Sequence, residues 1–244
     1  MLPKVDVPIY ELELPLSKKK TRYRPFLVKE EKILLMAMES EDENASVLAI
    51  KQIISNCCLD DNFDIDSLPL LDLEYMFLQL RARSVGEVVN LQYKCNNKVK
   101  DEEGNEKECN HIVPIDVNIL DINPEINPNH TNEIKLSDKL GIIMKYPSFK
   151  SLELTKDVSE VEALMNVIVD SIDNIYDTEN IYYAKDIQKK ELVDFVESLT
   201  QDQFKKIQNF FDTLPKIKKE LKFECGKCGY NEEIEVEGIQ NFFV

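Results

Sequence analysis

The sequence predicts an α+β fold with an N-terminal β-hairpin, a helical core and a split four-cysteine zinc ribbon built from two hairpin knuckles. Three observations predict it. Near its end the chain carries a Cys-x-x-Cys motif, Cys225 to Cys228, between two segments that alternate apolar and charged residues. A second pair of cysteines, Cys95 and Cys109, is flanked by similar alternating segments. Elsewhere, apolar residues recur at the three- and four-residue spacing of helices.

The terminal motif supplies half of a tetrahedral zinc site. Residues 221–224 and 233–236 alternate as strands do, so the motif lies at the turn of a hairpin. Gly226 and Gly229 can adopt positive φ, which would let both thiolates point at one position. Two thiolates alone do not complete a zinc site, so the chain must supply two further ligands.

An internal duplication supplies them. Residues 91–95 repeat the Leu-x-aromatic-x-Cys pattern of residues 221–225, and residues 109–117 repeat the cysteine followed by an alternating strand. In this first copy the insert 96–108 separates the cysteines. The insert is polar and carries a turn signal at residues 101–105, which predicts a solvated hairpin tip.

These patterns predict a structural Zn²⁺ ion bound by Cys95, Cys109, Cys225 and Cys228. Four sulfur ligands leave no open coordination position for water or substrate, so such a zinc ion is structural. Three alternatives remain open: a redox Cys-x-x-Cys, unliganded thiols, or His111 as ligand in place of Cys109. A redox motif of the thioredoxin type is followed by a helix, whereas a charged strand follows here.

Charge and composition argue against several functions. The 244 residues include 46 acidic and 30 basic side chains, for a net charge of −16, which disfavours binding to phosphate backbones. No apolar run is long enough to span a membrane, and the N-terminal residues are too acidic for a signal peptide. We therefore expect a reducing compartment, in which Cys57 and Cys58 are core thiols rather than a disulfide.

The sequence also predicts that the protein is not an enzyme. It contains no phosphate-binding loop and no Gly-x-Ser-x-Gly motif. Two histidines, His111 and His130, are a poor supply for nucleophilic catalysis. The acidic residues fall on helix faces and in loops, which is typical of a solvated surface.

The element pattern predicts a single α+β unit over residues 1–244. Helices are expected over 29–39, 45–58, 70–84, 157–171 and 189–198, with a last one capped by Thr200, and Asn44 is expected to cap the second. Residues 175–185 give no clear pattern. The sub-regions are a β-hairpin at 1–28, helices at 29–84, the first zinc knuckle at 85–120, a loop and hairpin at 121–150, helices at 151–216, and the second knuckle and tail at 217–244.

Three stretches resemble a known family. They are residues 23–37 (Tyr-Arg-Pro-Phe-Leu-Val-Lys-Glu-Glu-Lys-Ile-Leu-Leu-Met-Ala), residues 73–84 (Leu-Glu-Tyr-Met-Phe-Leu-Gln-Leu-Arg-Ala-Arg-Ser), and the terminal knuckle with residues 238–243. Together they resemble the baseplate hub proteins of T-even-like contractile-tailed bacteriophages. That family includes a subunit of the central spike complex and a hub assembly protein.

The resemblance implies a non-enzymatic protein of the virion tail baseplate that is assembled in the host cytoplasm. Its partners would be other baseplate hub and tail proteins, with no nucleic acid and no membrane, and an oligomer is compatible with the sequence. Two alternatives are an assembly chaperone absent from the mature virion and a zinc-ribbon nucleic-acid-binding regulator. The apolar end, residues 242–244, would be buried either in the chain's own core or in a partner.

Overall fold

The computed structural model describes residues 6–40, 43–61, 63–100, 104–156 and 158–238. Contacts divide the chain into two compact units, each made of more than one segment. Unit 1 comprises Met1–Phe63, Glu74–Glu125 and Lys216–Val244, and unit 2 comprises Asp64–Leu73 and Ile126–Pro215. Within the described residues, no helix combines the length and the apolar character needed to cross a bilayer. Whether the 244 residues fold as a single unit stays a prediction.

The described chain contains α-helices and short strands, which confirms the mixed α and β content. In chain order the elements are β1 (Tyr10–Glu13), β2 (Lys20–Tyr23), α1 (Val28–Glu39), α2 (Glu43–Cys57), α3 (Leu70–Ser84), β3 (Val88–Lys94), β4 (Lys98–Lys100), β5 (Glu106–Glu108), β6 (Ile112–Asn118), β7 (Pro124–Glu125), β8 (Glu133–Lys135), β9 (Gly141–Met144), α4 (Phe149–Glu153), α5 (Glu160–Asp170), β10 (Ile172–Tyr176), β11 (Ile181–Tyr183), α6 (Lys189–Glu197), α7 (Gln201–Asp212), β12 (Lys216–Glu224) and β13 (Asn231–Glu237).

Within the described residues, neighbouring strands of these sheets pair antiparallel. In unit 1, β1 pairs with β2, β3 with β6 and β4 with β5, while β12 lies between β13 and β7. In unit 2, one four-stranded sheet has the order β11-β10-β9-β8. The predicted N-terminal hairpin is confirmed as β1 and β2. The insert 96–108 forms β4 and β5, although residues 101–103 of its predicted turn lie outside the described residues.

The helix predictions agree closely with the structure. Helix α3 spans the predicted residues, and the Thr200 hydroxyl accepts a hydrogen bond from the Gln203 N–H at 3.3 Å, as expected of a capping residue. The cap prediction for Asn44 is wrong, because α2 already begins at Glu43. Residues 175–185, which have no clear sequence pattern, form the end of β10 and all of β11. Asp157 and the terminal residues 242–244 lie outside the described residues.

The core of unit 2 forms where α5, α6 and α7 pack on the four-stranded sheet. Its buried apolar residues include Ile142, Ile172, Leu192, Ile207 and Phe210. His130 belongs to this core as well, since its ring lies 5.1 Å from that of Phe210 and 5.6 Å from that of Tyr146. Burial lowers the pKa of His130, so the imidazole is neutral at physiological pH. This environment explains His130 as a core histidine.

A buried ion pair joins β2, α1 and α2 in unit 1. The Arg24 guanidinium binds the Glu30 carboxylate at 3.0 Å, and the side chains are 14% and 0% exposed. The same guanidinium donates to the Asn56 carbonyl oxygen at 3.0 Å, close to the end of α2. The other Glu30 oxygen accepts the Leu27 N–H at 2.9 Å, at the start of α1. The Arg-Pro-Phe sequence therefore has a structural explanation, because Pro25 and Phe26 are buried beside this pair.

We expect Glu30→Gln to destabilise the protein by about 3 kcal/mol, because it leaves the Arg24 charge unpaired in a mostly buried site. Burial alone would raise the pKa of Glu30, but the hydrogen bonds from Arg24 and the Leu27 N–H lower it below its usual range. Because the pKa of Glu30 is lower in the folded than in the unfolded state, its ionised carboxylate stabilises the fold at neutral pH. This contribution is lost as the pH falls from about 4.3, the ordinary pKa of glutamate, through the lower pKa of the folded state. Urea unfolding followed by circular dichroism at several pH values measures both effects.

Glu31→Gln is the matched control, because Glu31 is the next residue and is exposed. Its free energy of unfolding should change by less than about 0.5 kcal/mol. Equal effects of the two substitutions would contradict the assigned role of Glu30. The same holds if the free energy of unfolding of the Glu30 variant falls at acidic pH as steeply as that of the wild type.

Candidate metal centre

The two cysteine hairpins share one strand register. In the first hairpin, β3 pairs with β6 so that Tyr93 faces Val113, and in the second, β12 pairs with β13 so that Phe223 faces Glu232. Both aromatic residues lie two positions before the first cysteine of their hairpin, and both partners lie four positions after the second cysteine. The structure therefore supports the internal duplication predicted from the sequence, despite the longer insert in the first copy.

The backbone turns are equivalent too. In the terminal hairpin, the Cys225 N–H donates to the Tyr230 carbonyl oxygen at 2.8 Å, and the Gly229 N–H donates to the Cys225 carbonyl oxygen at 2.8 Å. These bonds close the turn around the Cys225 sulfur.

The first hairpin makes the corresponding bonds. The Cys95 N–H donates to the His111 carbonyl oxygen at 2.8 Å, and the Asn110 N–H donates to the Cys95 carbonyl oxygen at 2.9 Å. The insert does not disturb this arrangement, because the Cys109 N–H returns to the Asn97 carbonyl oxygen at 2.8 Å. The insert therefore extends from the turn and leaves its base intact.

In each hairpin the residue after the second cysteine has a left-handed backbone. Gly229 has a φ of 69° and Asn110 has a φ of 54°. Glycine adopts this region freely and asparagine is among the few other residues that tolerate it. The expectation that Gly226 also has positive φ is wrong, because positive φ within the terminal turn occurs at Gly229 alone.

The four predicted cysteines come together. All four sulfur atoms lie within 4.8 Å of one another. The Cys95 and Cys228 sulfurs are 3.7 Å apart, and those of Cys109 and Cys225 are 3.8 Å apart. Zinc–sulfur bonds of about 2.3 Å in a tetrahedron place neighbouring sulfurs about 3.8 Å apart, whereas a disulfide bond measures about 2.05 Å. The cluster fits a tetrahedral metal ion, and all six cysteines of the chain are free thiols.

The electrostatics of the cluster disfavour four free thiolates. Burial raises the pKa of the Cys95 thiol to about 12, and burial also raises the pKa of Cys109. Burial opposes ionisation of Cys228 as well, but hydrogen bonds from the Tyr230 N–H and the Asn97 amide lower its pKa to about 6. Four thiolates this close repel one another, so they can ionise together only when a cation neutralises them.

An aromatic contact packs the two hairpins together beside the sulfurs. The rings of the equivalent residues Tyr93 and Phe223 have centroids 4.5 Å apart. The Tyr93 hydroxyl donates to the Glu232 carboxylate at 3.0 Å, which ties the first hairpin to the strand β13 of the second. Cys95, Cys109 and Cys225 are buried in the same small core. The two hairpins thus form one packed module around the cysteines.

Two polar residues of this module were not predicted from the sequence. The Asn97 amide lies 3.6 Å from the Cys228 sulfur, and Asn110 takes the left-handed position of the first turn. Alignment of the two cysteine motifs would have revealed Asn110, which occupies the position of Gly229. No local signal marks Asn97, because its contact crosses 131 residues of sequence. His111, weighed as an alternative ligand, is exposed, and the described metal-ligand cluster contains cysteines alone.

Comparison with known proteins gives one family. The family model described as T4 bacteriophage base plate protein matches residues 7–244, nearly the whole chain. The chain belongs to this family. Neither the comparison with curated proteins nor the comparison with solved structures gave a match. Membership in the T4 base plate family points to a structural, generally non-enzymatic role in a phage tail baseplate, in contact with other tail proteins.

The duplicated turns of this base plate protein predict parallel effects of substitution. Gly229→Ala should lower the free energy of unfolding by about 1 kcal/mol, because alanine is disfavoured at positive φ. No atom would contact the added methyl group, so the effect is conformational. Asn110→Gly should be neutral or stabilising. Thermal and urea unfolding measure these changes.

Gly226→Ala is the control in the same turn, since Gly226 has an ordinary φ and open space around it. It should change stability by less than Gly229→Ala does. If alanine is tolerated equally at both glycines, the assigned conformations of the turn are wrong.

Proposed function

We propose that this protein is a baseplate hub subunit or hub assembly factor whose fold is clamped by a structural zinc ion. Cys95, Cys109, Cys225 and Cys228 would supply four thiolate ligands. The observation that supports the clamp is the convergence of four sulfurs from two equivalent hairpins within 4.8 Å. Zinc bound in this way has no open position for a substrate, so it would stabilise the fold without catalysing a reaction.

The clamp would act on segments that are distant in sequence. It would join the β3–β6 hairpin to the β12–β13 hairpin, and thus the middle of the chain to its end. Because metal-binding free energy at such sites is also folding free energy, loss of the ion should loosen this part of unit 1 first. A rigid module without a reactive centre suits a protein that acts through contacts with partners.

We expect the purified protein to contain a single zinc ion per chain. Cys225→Ser should release the ion and lower the thermal midpoint by about 10 °C or more, because removing one thiolate weakens a four-ligand site severely. Elemental mass spectrometry measures the metal, and differential scanning calorimetry measures the midpoint.

Cys58→Ser is the matched control, since Cys58 lies outside the cluster and its sulfur lies 3.3 Å from the Thr21 hydroxyl. It should keep the zinc ion and a nearly unchanged midpoint. Wild-type protein without metal, or a Cys225 variant that melts like the wild type, would contradict the zinc clamp.

The hub role is more specific than the family match, and it rests on two stretches of the sequence. Residues 23–37 and 73–84 resemble hub proteins; the first stretch runs from the last residue of β2 through most of α1, and the second forms most of α3. Some of this resemblance is structural, since Arg24 and Glu30 form the buried pair. Exposed apolar side chains on α1, including Val28, Leu35 and Met36, are available for contacts with other proteins.

Mass spectrometry of purified virions distinguishes the two forms of the proposal. A subunit should be recovered in a fixed ratio to the other hub proteins, whereas an assembly factor should be present in infected cells and absent from virions. In either case, affinity purification of the tagged chain from infected cells should recover hub proteins. Recovery of none would contradict the hub role and leave the zinc clamp untouched.

A further inference from the structure

Unit 2 carries a cavity that has no part in the zinc module. Its volume is about 580 Å³, and we name it the lysine cavity. Buried apolar side chains line its floor, among them Val169, Ile172 and Leu192. A volume of this size lies within the range of about 300–1,000 Å³ that is typical of ligand pockets. Four lysines also line it: Lys145, Lys150, Lys185 and Lys189.

These lysines lack acidic partners. In the portions of the chain that the structure describes, no carboxylate lies within 4.0 Å of any of the four ammonium groups. In contrast, several lysines of β12 do have such partners, for example Lys222 with Glu233 at 2.6 Å. What distinguishes the four lysines is that they line one cavity in a chain of net charge −16.

Two aspartates line the cavity, but they bind other groups. Asp170 accepts a hydrogen bond from the Ser151 hydroxyl. Asp173 accepts one from the Asn174 amide at 2.8 Å. The residues that line the cavity include four lysines and two aspartates, a surplus of two positive charges, while Asp64 and Asp66 line the adjoining cavity beside Lys145 and Lys150. The cavity therefore offers an attractive field to an anion in an otherwise acidic protein.

An apolar sheet edge lies beside the lysines. Strand β11 is at the edge of the four-stranded sheet and pairs with β10 alone. All three of its residues are exposed: Ile181 by 59%, Tyr182 by 44% and Tyr183 by 48%. Tyr183 also lines the cavity, and the Lys185 ammonium lies 5.5 Å from the centre of its ring. Exposed edge strands with apolar side chains are surfaces on which extended peptides add a strand.

We propose that the lysine cavity and the β11 edge together bind an extended acidic segment of a partner protein. Backbone groups of the segment would pair along β11, its carboxylates would neutralise the four lysines, and one of its apolar side chains would enter the cavity. The charge surplus selects an acidic partner, and the apolar floor and aromatic edge select a polypeptide over a bare anion. This inference is independent of the zinc clamp and of the hub role.

The surface is a poorer match for nucleic acid. Binding to a phosphate backbone grows with the number of cations that follow the strand, and the lysines here surround a single cavity. Tyr183 is the one aromatic residue among the described residues that line the cavity, whereas single strands stack successive bases on several aromatic side chains. An oligonucleotide is therefore included in the test as the competing ligand.

The test measures fluorescence anisotropy with the 244-residue chain as purified. The probe is a labelled peptide of about ten residues that alternates glutamate with valine and phenylalanine. Its matched control has glutamine at each glutamate position, and an oligothymidylate of about ten nucleotides is the competing probe. We expect the acidic peptide to bind at least about tenfold more tightly than the glutamine peptide or the oligonucleotide, with an affinity that falls as salt rises.

Charge-reversal variants locate the site. K150E/K185E should weaken binding of the acidic peptide by at least about tenfold, since each reversal replaces an attraction with a repulsion. K139E/K190E carries the same change of net charge on exposed lysines of unit 2 that do not line the cavity, and should bind within about twofold of the wild type. Equal binding by both variants, equal binding of the glutamine peptide, or stronger binding of the oligonucleotide would overturn the proposal.

Discussion

The meeting of the two cysteine hairpins is the constraint on which unit 1 depends. The Cys95 and Cys228 sulfurs are in contact although 133 residues separate them in sequence. Closing so long a loop costs conformational entropy, and the interactions between the two hairpins must offset this cost. Packing of Tyr93 on Phe223 and the hydrogen bond from Tyr93 to Glu232 contribute to this. A zinc ion, as proposed, would contribute much more.

The two ends of the long stretch of chain between the cysteine hairpins, residues 126–215, also lie close together. Unit 1 ends its second segment at Glu125 and resumes at Lys216, and these two residues face each other in the β7–β12 pair. Residues 126–215 therefore leave and return at one place in the sheet. They form most of unit 2, which has its own sheet and its own apolar core.

The duplicated hairpins share several features of the turn although the spacing of their cysteines differs. The two copies differ in the length between their cysteines, yet they retain the same register, the same pair of backbone hydrogen bonds and the same left-handed residue. Asparagine and glycine both satisfy the last requirement because both tolerate positive φ. The polar insert that forms β4 and β5 is accommodated because it adds residues beyond the base of the turn.

Local patterns in the sequence by themselves determined much of this protein. The period of apolar residues fixed helices such as α3, the alternation of apolar and charged residues fixed β12 and β13, and the Leu-x-aromatic-x-Cys repeat identified all four clustered cysteines. These signals extend over a few residues, so they can be recognised without knowledge of the chain path. The start of α2 and the conformation of Gly226 were mispredicted, because caps and turns depend on the exact backbone geometry.

Only the tertiary structure decided which distant groups meet. The Arg24–Glu30 pair reaches α2 through the Asn56 carbonyl oxygen, and Asn97 reaches the Cys228 sulfur from the other hairpin. The four lysines of the cavity come from separate elements of unit 2 and share no sequence motif. Such contacts depend on how helices and strands pack, and packing is set by the whole chain. The sequence thus determined the elements and the cysteine set, while the fold determined the surfaces available to partners.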